Sequence, residues 1–130
     1  MPWLYKIAAH SLFYRKGTDS DGDQLVTTEA YSGFPPDGKN NPAMCNVQNI
    51  GPLPTGGYMI RDFHDNAMLG VLAAYLDPSA GNQMFGRGGF YIHGDSALHP
   101  GAASHGCIIL PHDVRESISR STDRSLLVTA

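Results

Sequence analysis

Glycine and proline interrupt this chain so often that long regular elements have no room to form. Fifteen glycines and nine prolines fall among 130 residues. Each glycine frees the backbone at its position, and each proline fixes it. Turns at that density favour many short elements over long helices. Apolar residues make up 42%, enough to bury a core. The length fits one domain, 1–130, and no repeat or low-complexity linker divides it.

Local patterns place the elements. Residues 3–9, 12–15 and 24–31 read as strands, the last rich in β-branched side chains. Residues 18–23 read as a turn, since Asp21-Gly22 readily supplies positive φ. This segment superficially suggests a calcium loop, but the register fails. With Gly22 in the glycine position, Gly17 and Thr28 fall where carboxylate ligands belong. Residues 32–54 contain five prolines and read as one long irregular stretch, and a loop of that length usually carries function. Thr55-Gly56-Gly57 reads as a turn, residues 58–63, 69–76, 89–93 and 107–110 as strands, and 95–105 as a loop. Pro111 opens a helix with Val114 and Ile118 on one face, and residues 126–128 form a closing strand. The expectation is a mainly β domain with one late helix.

Charge and hydropathy exclude several roles. The net charge is −3 and no Lys/Arg cluster occurs, so nucleic acid is not an expected partner. Apolar runs of a few residues are too short for membrane insertion. Residues 1–6 show no basic segment followed by an apolar stretch, so no ordinary signal peptide is read. Of two cysteines, Cys45 lies in a polar loop and reads as incidental; Cys107 lies between Gly106 and the apolar run Ile108-Ile109-Leu110.

The densest chemistry lies in residues 93–107, which hold three of the six histidines and one of the two cysteines. Short apolar strands flank this segment, and strands hold their ends rigidly enough for His93 and Cys107 to face each other. A thiolate is a reactive nucleophile near neutral pH, and imidazole titrates near it. Cys107 is therefore the candidate nucleophile and His93 the candidate acid/base. The Gly94 carbonyl is placed to fix the His93 tautomer, and the Gly106 and Cys107 amides are placed to meet an oxyanion. Arg87 reads either as a bidentate grip on a substrate carboxylate or as a surface ion pair. Tyr31, Tyr58 and Tyr91 read either as cleft lining or as strand packing. Three rivals stand beside the cysteine enzyme: a zinc hydrolase using His93, Asp95, His99, His105 or Cys107; a papain-like Cys-His amidase, in which the cysteine usually comes first; and a non-catalytic wall-binding module.

Ile92-His93-Gly94 followed by Ser104-His105-Gly106-Cys107-Ile108 resembles the active-site signature of the L,D-transpeptidase (YkuD-like) catalytic domain. A wider set is similar to the L,D-transpeptidase-like effectors delivered by type VI secretion: Ala30-Tyr31-Ser32-Gly33, Asn40-Asn41-Pro42, residues 49–56, Phe85-Gly86-Arg87 and residues 90–94. That likeness runs from about Tyr31 to the C-terminus. It implies an L,D-transpeptidase-like β-sandwich with one short C-terminal helix, and action on peptidoglycan stem peptides. The cysteine of such enzymes attacks the diaminopimelate carbonyl and expels the terminal D-alanine. Water, another D-amino acid or a second stem then resolves the acyl-enzyme. By position, the resemblance makes Cys107 the nucleophile, His93 the acid/base and Gly94 its orienting carbonyl. Ser104, His105 and Gly106 become the wall and oxyanion region, with Ser104, Arg87 and Tyr31 as substrate-binding residues. It implies no cofactor and no metal. Candidate partners are an immunity protein and secretion-machine components, and the expected place of action is the periplasm of a target bacterium. Two features depart from the usual pattern: a shorter loop between His93 and Cys107, and Ile109 where a polar or basic residue is preferred.

Overall fold

The computed structural model describes residues 2–16 and 22–130. The described residues form ten strands: β1 (Trp3–Lys6), β2 (Ser11–Arg15), β3 (Asp23–Thr27), β4 (Tyr31–Ser32), β5 (Gly56–Ile60), β6 (His64–Asn66), β7 (Gly70–Pro78), β8 (Tyr91–His93), β9 (Ile108–Ile109) and β10 (Ser125–Thr129). One helix, α1 (His112–Arg120), precedes the last strand. The sheet order is β3-β2-β1-β10-β5-β7-β8-β9-β4, with β6 paired to β7. The pairs β1–β10 and β8–β9 are parallel. The mainly β fold with one helix is therefore as expected from the sequence.

The connection between β3 and β4 dictates the shape of this sheet. The two strands sit at opposite ends of the strand order. Only residues 28–30 join them, a link that spans about 14 Å at most. A flat sheet of nine strands would be roughly 38 Å wide. The sheet must therefore curl until its two ends approach, and the link itself is held at the β3–β2 end, where the Ala30 N–H donates to the His10 carbonyl just before β2 at 3.2 Å. The enclosed core draws on strands from both ends, including Leu12, Leu126, Tyr58, Leu76, Ile92 and Ile108.

Several boundaries differ from the sequence expectation for physical reasons. The expected strand 24–31 is two strands, because the chain leaves one sheet edge after Thr27 and joins the other at Tyr31. The first strand stops at Lys6, where residues 7–10 turn back with His10 at φ 44°. Gly56 and Gly57 open β5 rather than forming a turn. His64-Asp65-Asn66 shows no apolar alternation, so nothing in the sequence marks β6. Most of the turn expected at 18–23 lies outside the described residues. In α1 the buried face comprises Val114, Ile118 and also Arg115.

Residues 33–54 are irregular, as their prolines require, apart from a 3₁₀ turn at Pro42–Met44 capped by the Asn41 side chain. Irregular main chain lacks ladder partners for its carbonyls. Arg87 supplies them. This residue is 8% exposed. Its Nη1 donates to the carbonyls of Cys45 (2.6 Å) and Pro52 (2.7 Å), and its Nη2 to those of Gly51 (3.0 Å) and His105 (3.3 Å). One planar fork thereby pins the long loop to the segment before Cys107. A lysine carries the same charge but not the fork. Arg87→Lys is expected to lower the unfolding free energy by about 2–4 kcal/mol, from buried acceptors left unpaired. Urea denaturation measures this; a loss under about 0.5 kcal/mol would show that the clamp is dispensable.

Candidate active site

Strand pairing brings His93 and Cys107 together. In the parallel pair β8–β9, Ile92 lies opposite Ile108 and His93 opposite Ile109. Ile92 and Ile108 are core residues, each 1% exposed. Side chains alternate along a strand, so Tyr91, His93 and Cys107 turn to the other face. His93 and Cys107 are then diagonal neighbours, with Cα atoms about 8 Å apart by strand rise and spacing. That separation is within reach of an imidazole and a thiol. Among the described residues no hydrogen bond joins the two side chains, and such contacts are often long before substrate binds.

Each side chain has its own support. His93 is buried, and its Nδ1 lies 2.8 Å from the Gly94 carbonyl. A carbonyl can only accept, so Nδ1 carries the hydrogen and the neutral ring keeps its lone pair on Nε2. The half-buried Cys107 sulfur accepts a hydrogen bond from the Tyr91 N–H at 3.4 Å. Burial pushes the Cys107 thiol above its ordinary value; the Tyr91 amide and the residue's own amide oppose this without cancelling it. Burial likewise pushes His93 below its ordinary value, helped by the Arg115 cation and opposed by the Gly94 carbonyl and Asp95. Both shifts favour the uncharged forms, so the resting pair is thiol and neutral imidazole.

The loop before Cys107 is tied by two buried hydroxyls. Ser104 Oγ donates to the Cys107 carbonyl (2.6 Å) and accepts from the Gly33 (3.0 Å) and Gly106 (3.1 Å) amides. Ser32 Oγ donates to the Gly106 carbonyl (2.8 Å) and accepts from the Leu53 N–H (3.2 Å). Gly106 itself has φ 140°, and a Cβ there would sit 2.5 Å from Phe90 Cε1, so only glycine fits.

These contacts place four of the residues singled out in the sequence. Ser104 is fully buried and bonded to main chain on every side, so it positions the loop. The Gly106 N–H is turned to Ser104, which leaves the Cys107 N–H as the amide beside the sulfur. Arg87 is neither a carboxylate grip nor a surface ion pair, since four carbonyls occupy its guanidinium. The Tyr31 hydroxyl donates to Asp95 (2.6 Å) and accepts from the Ala103 N–H (2.9 Å), so it fastens the 95–103 loop to β4. His105 is exposed, stacks on Phe34 at 4.7 Å and binds the Asn49 carbonyl through Nδ1 at 2.9 Å. Tyr58 is a core residue whose hydroxyl donates to the Pro54 carbonyl. Cys45 is buried, with its sulfur 3.4 Å from the Leu53 carbonyl. Among the described residues, no three His, Cys, Asp or Glu side chains gather to hold a metal, so His93, Asp95, His99, His105 and Cys107 do not form one ligand set.

Two contributors escape sequence reasoning. The Tyr91 amide is a main-chain donor that no side-chain motif encodes. Arg115 lies three residues before Ile118 and so on the same helix face, which was the available signal. A cavity of about 380 Å³ opens over His93, between the hairpin residues Met68 and Leu69 and the loop residues Ser96, His99 and Ala102.

The fold has a recognisable counterpart. The catalytic domain of an L,D-transpeptidase from E. faecium, solved by NMR, superposes with a TM-score of 0.52. The two share 19% sequence identity, and the match covers 98% of this chain and 95% of that domain. The likeness is one of fold. No curated protein matches the chain. The model of the Tlde1 domain matches residues 26–127, which include β4, the long loop, His93, Cys107 and α1. The chain accordingly belongs to the Tlde1 domain family, a family of type VI effectors.

Proposed function

We propose that this protein is a cysteine acyl-transfer enzyme that acts on peptidoglycan stem peptides as an L,D-carboxypeptidase, with D-amino-acid exchange or cross-linking as alternative fates of the same acyl-enzyme. The observation that carries the reading is the pairing of β8 with β9. It sets a sulfur supported by two amides diagonally beside an imidazole whose Nε2 is left as the base. Membership of the Tlde1 domain family and the fold of an L,D-transpeptidase supply the substrate class.

The steps follow from the neutral resting pair. His93 Nε2 takes the Cys107 proton as sulfur bonds to the substrate carbonyl carbon. The Cys107 N–H lies beside the developing oxyanion. The imidazolium then gives its proton to the amine of the departing D-alanine as the C–N bond breaks, leaving a thioester. Water attacks that thioester, His93 takes the water proton, and the thiol is regenerated with a shortened stem as product.

Mass spectrometry of defined muropeptides after incubation tests this reading. Loss of one alanine residue is the expected product, and incorporation of an added D-amino acid would report exchange. Cys107→Ala is expected to abolish both, His93→Ala to slow turnover by roughly 100-fold or more, and Cys45→Ala to keep most activity. Unchanged products from the Cys107 variant would remove the mechanism.

The pH dependence has a definite sign. Because His93 titrates below its ordinary value of 6.5, the base stays available into more acidic solution, and the acid limb of kcat/KM is expected below 6.5. Because Cys107 titrates above its ordinary value of 9.0, its alkylation rate in a Cys45→Ala background should rise with a midpoint above 9.0. A midpoint below neutrality would instead indicate a preformed thiolate–imidazolium pair.

The reading includes delivery as an antibacterial toxin. An enzyme of this kind reaches assembled wall only outside the cytoplasm. Cytoplasmic expression is therefore expected to be nearly harmless, while the same chain behind a periplasmic export signal should slow growth and deform cells. Cys107→Ala should relieve that effect. Growth curves at matched expression decide it, and toxicity confined to the cytoplasmic form would point to another target.

A further inference from the structure

Beside the His93 cavity, and sharing Asp95 with it, lies a second cavity of about 530 Å³. Its wall carries four charged side chains that the acyl-transfer steps do not use: Glu29, Lys39, Asp95 and Arg115. His112 also lines it and faces Glu116 at 3.8 Å.

Arg115 enters from α1 and is 6% exposed. Its Nε donates to the Leu110 carbonyl (3.0 Å), and its Nη1 to those of Val71 (2.7 Å) and Leu72 (3.3 Å). These bonds fix the plane of the guanidinium. Nη2 makes no hydrogen bond among the described residues. Among them, Tyr5 Oη is the one sealed side-chain polar atom without a partner, so Nη2 is unpaired but not sealed off. It lies against Gly94, where a Cβ would approach it to 2.6 Å. Lys39 Nζ, 4.3 Å from the Tyr31 ring centroid, adds a second cation near Gly101. Asp95 accepts from the Tyr31 hydroxyl and from the Ser96 and Gly101 amides. Burial pushes its carboxyl up, but these donors and Lys39 outweigh that, and it stays ionised. Glu29 is exposed at the rim.

Two cations and two carboxylates thus share one small cavity. A ligand of single charge would be opposed by one of the pairs. A ligand with both charges on neighbouring atoms would satisfy both. We propose that this pocket binds a zwitterionic α-amino-acid centre, with its carboxylate on Arg115 Nη2 and Lys39 Nζ and its ammonium on Glu29 and Asp95. Such a centre occurs at the free side-chain end of diaminopimelate in a stem peptide and in a free D-amino acid. The link to either source rests on the proposed acyl-transfer function; the pocket chemistry does not.

NMR titration of the Cys107→Ala protein with a stem tripeptide ending in diaminopimelate, and separately with D-alanine, tests the proposal. Saturable shifts should centre on Lys39, Asp95 and Arg115. Acetylating the amine or amidating the carboxylate of the ligand should weaken binding about tenfold or more, as one charge-assisted hydrogen bond is lost. Lys39→Met and Glu29→Gln should each do the same with the thermal midpoint unchanged, which keeps the test valid should Arg115 variants fail to fold. Saturation by the tripeptide alone assigns the pocket to a stem, and saturation by D-alanine as well assigns it to a free amino acid. No saturation by roughly 20 mM, or equal binding of the blocked ligands, overturns the proposal. Alanine release by the wild type without binding here would leave the acyl-transfer reading standing and remove this one; binding without release would do the reverse.

Discussion

The position of Cys107 depends on one buried hydroxyl. Ser104 Oγ bonds the carbonyl of Cys107 and the amides of Gly33 and Gly106, so three main-chain groups from two distant segments meet at a single oxygen. A buried polar group without partners would cost about 1–3 kcal/mol, and here the partners are the loop itself. Ser32 repeats the arrangement one layer away, joining Gly106 to Leu53. Together the two serines turn an irregular run into a fixed platform at the mouth of β9. Cys107 can then be presented without strain in its own backbone, because the positive φ falls on Gly106.

Arginines complete what the serines begin. Arg87 and Arg115 are the two buried guanidinium groups of the core's edge, 8% and 6% exposed. Neither pairs with a carboxylate; each donates to several main-chain carbonyls. A fold with short strands and long loops leaves many such carbonyls, and a planar fork with five donors satisfies several at once. The two also divide the site electrically. Arg87 braces the segment before Cys107, while Arg115 lies behind Gly94 and helps keep His93 uncharged.

The candidate chemistry of residues 93–107 was legible because it is compressed into one segment between two apolar strands. The neighbours of His93, Gly94 and Cys107 mark them as candidates, whereas the parallel pairing of β8 with β9 that sets them side by side is seen only in the fold. The roles of Arg87, Tyr31 and Ser104 were not legible. Each carries a side chain suited to substrate, and each is instead engaged by groups far away in sequence: the Cys45 and Pro52 carbonyls for Arg87, the Asp95 carboxylate and the Ala103 amide for Tyr31, the Gly33 amide for Ser104. Residue type cannot distinguish a donor aimed at a ligand from a donor aimed at an orphan carbonyl.

What the sequence by itself determined was the class of fold and which residues are candidates for a reacting pair. Glycine and proline spacing limits element length locally, and a nucleophile with its base is a matter of residue type within one short segment. What the tertiary structure alone decided was which polar groups remain free. The three-residue link from β3 to β4 curls the sheet, the curl brings residues 32–54 over the loop before Cys107, and that closure occupies Arg87, Ser104 and Tyr31 while leaving Arg115 Nη2 open. Hydrogen-bond satisfaction is a property of contacts between distant segments, and no local pattern of residues records it.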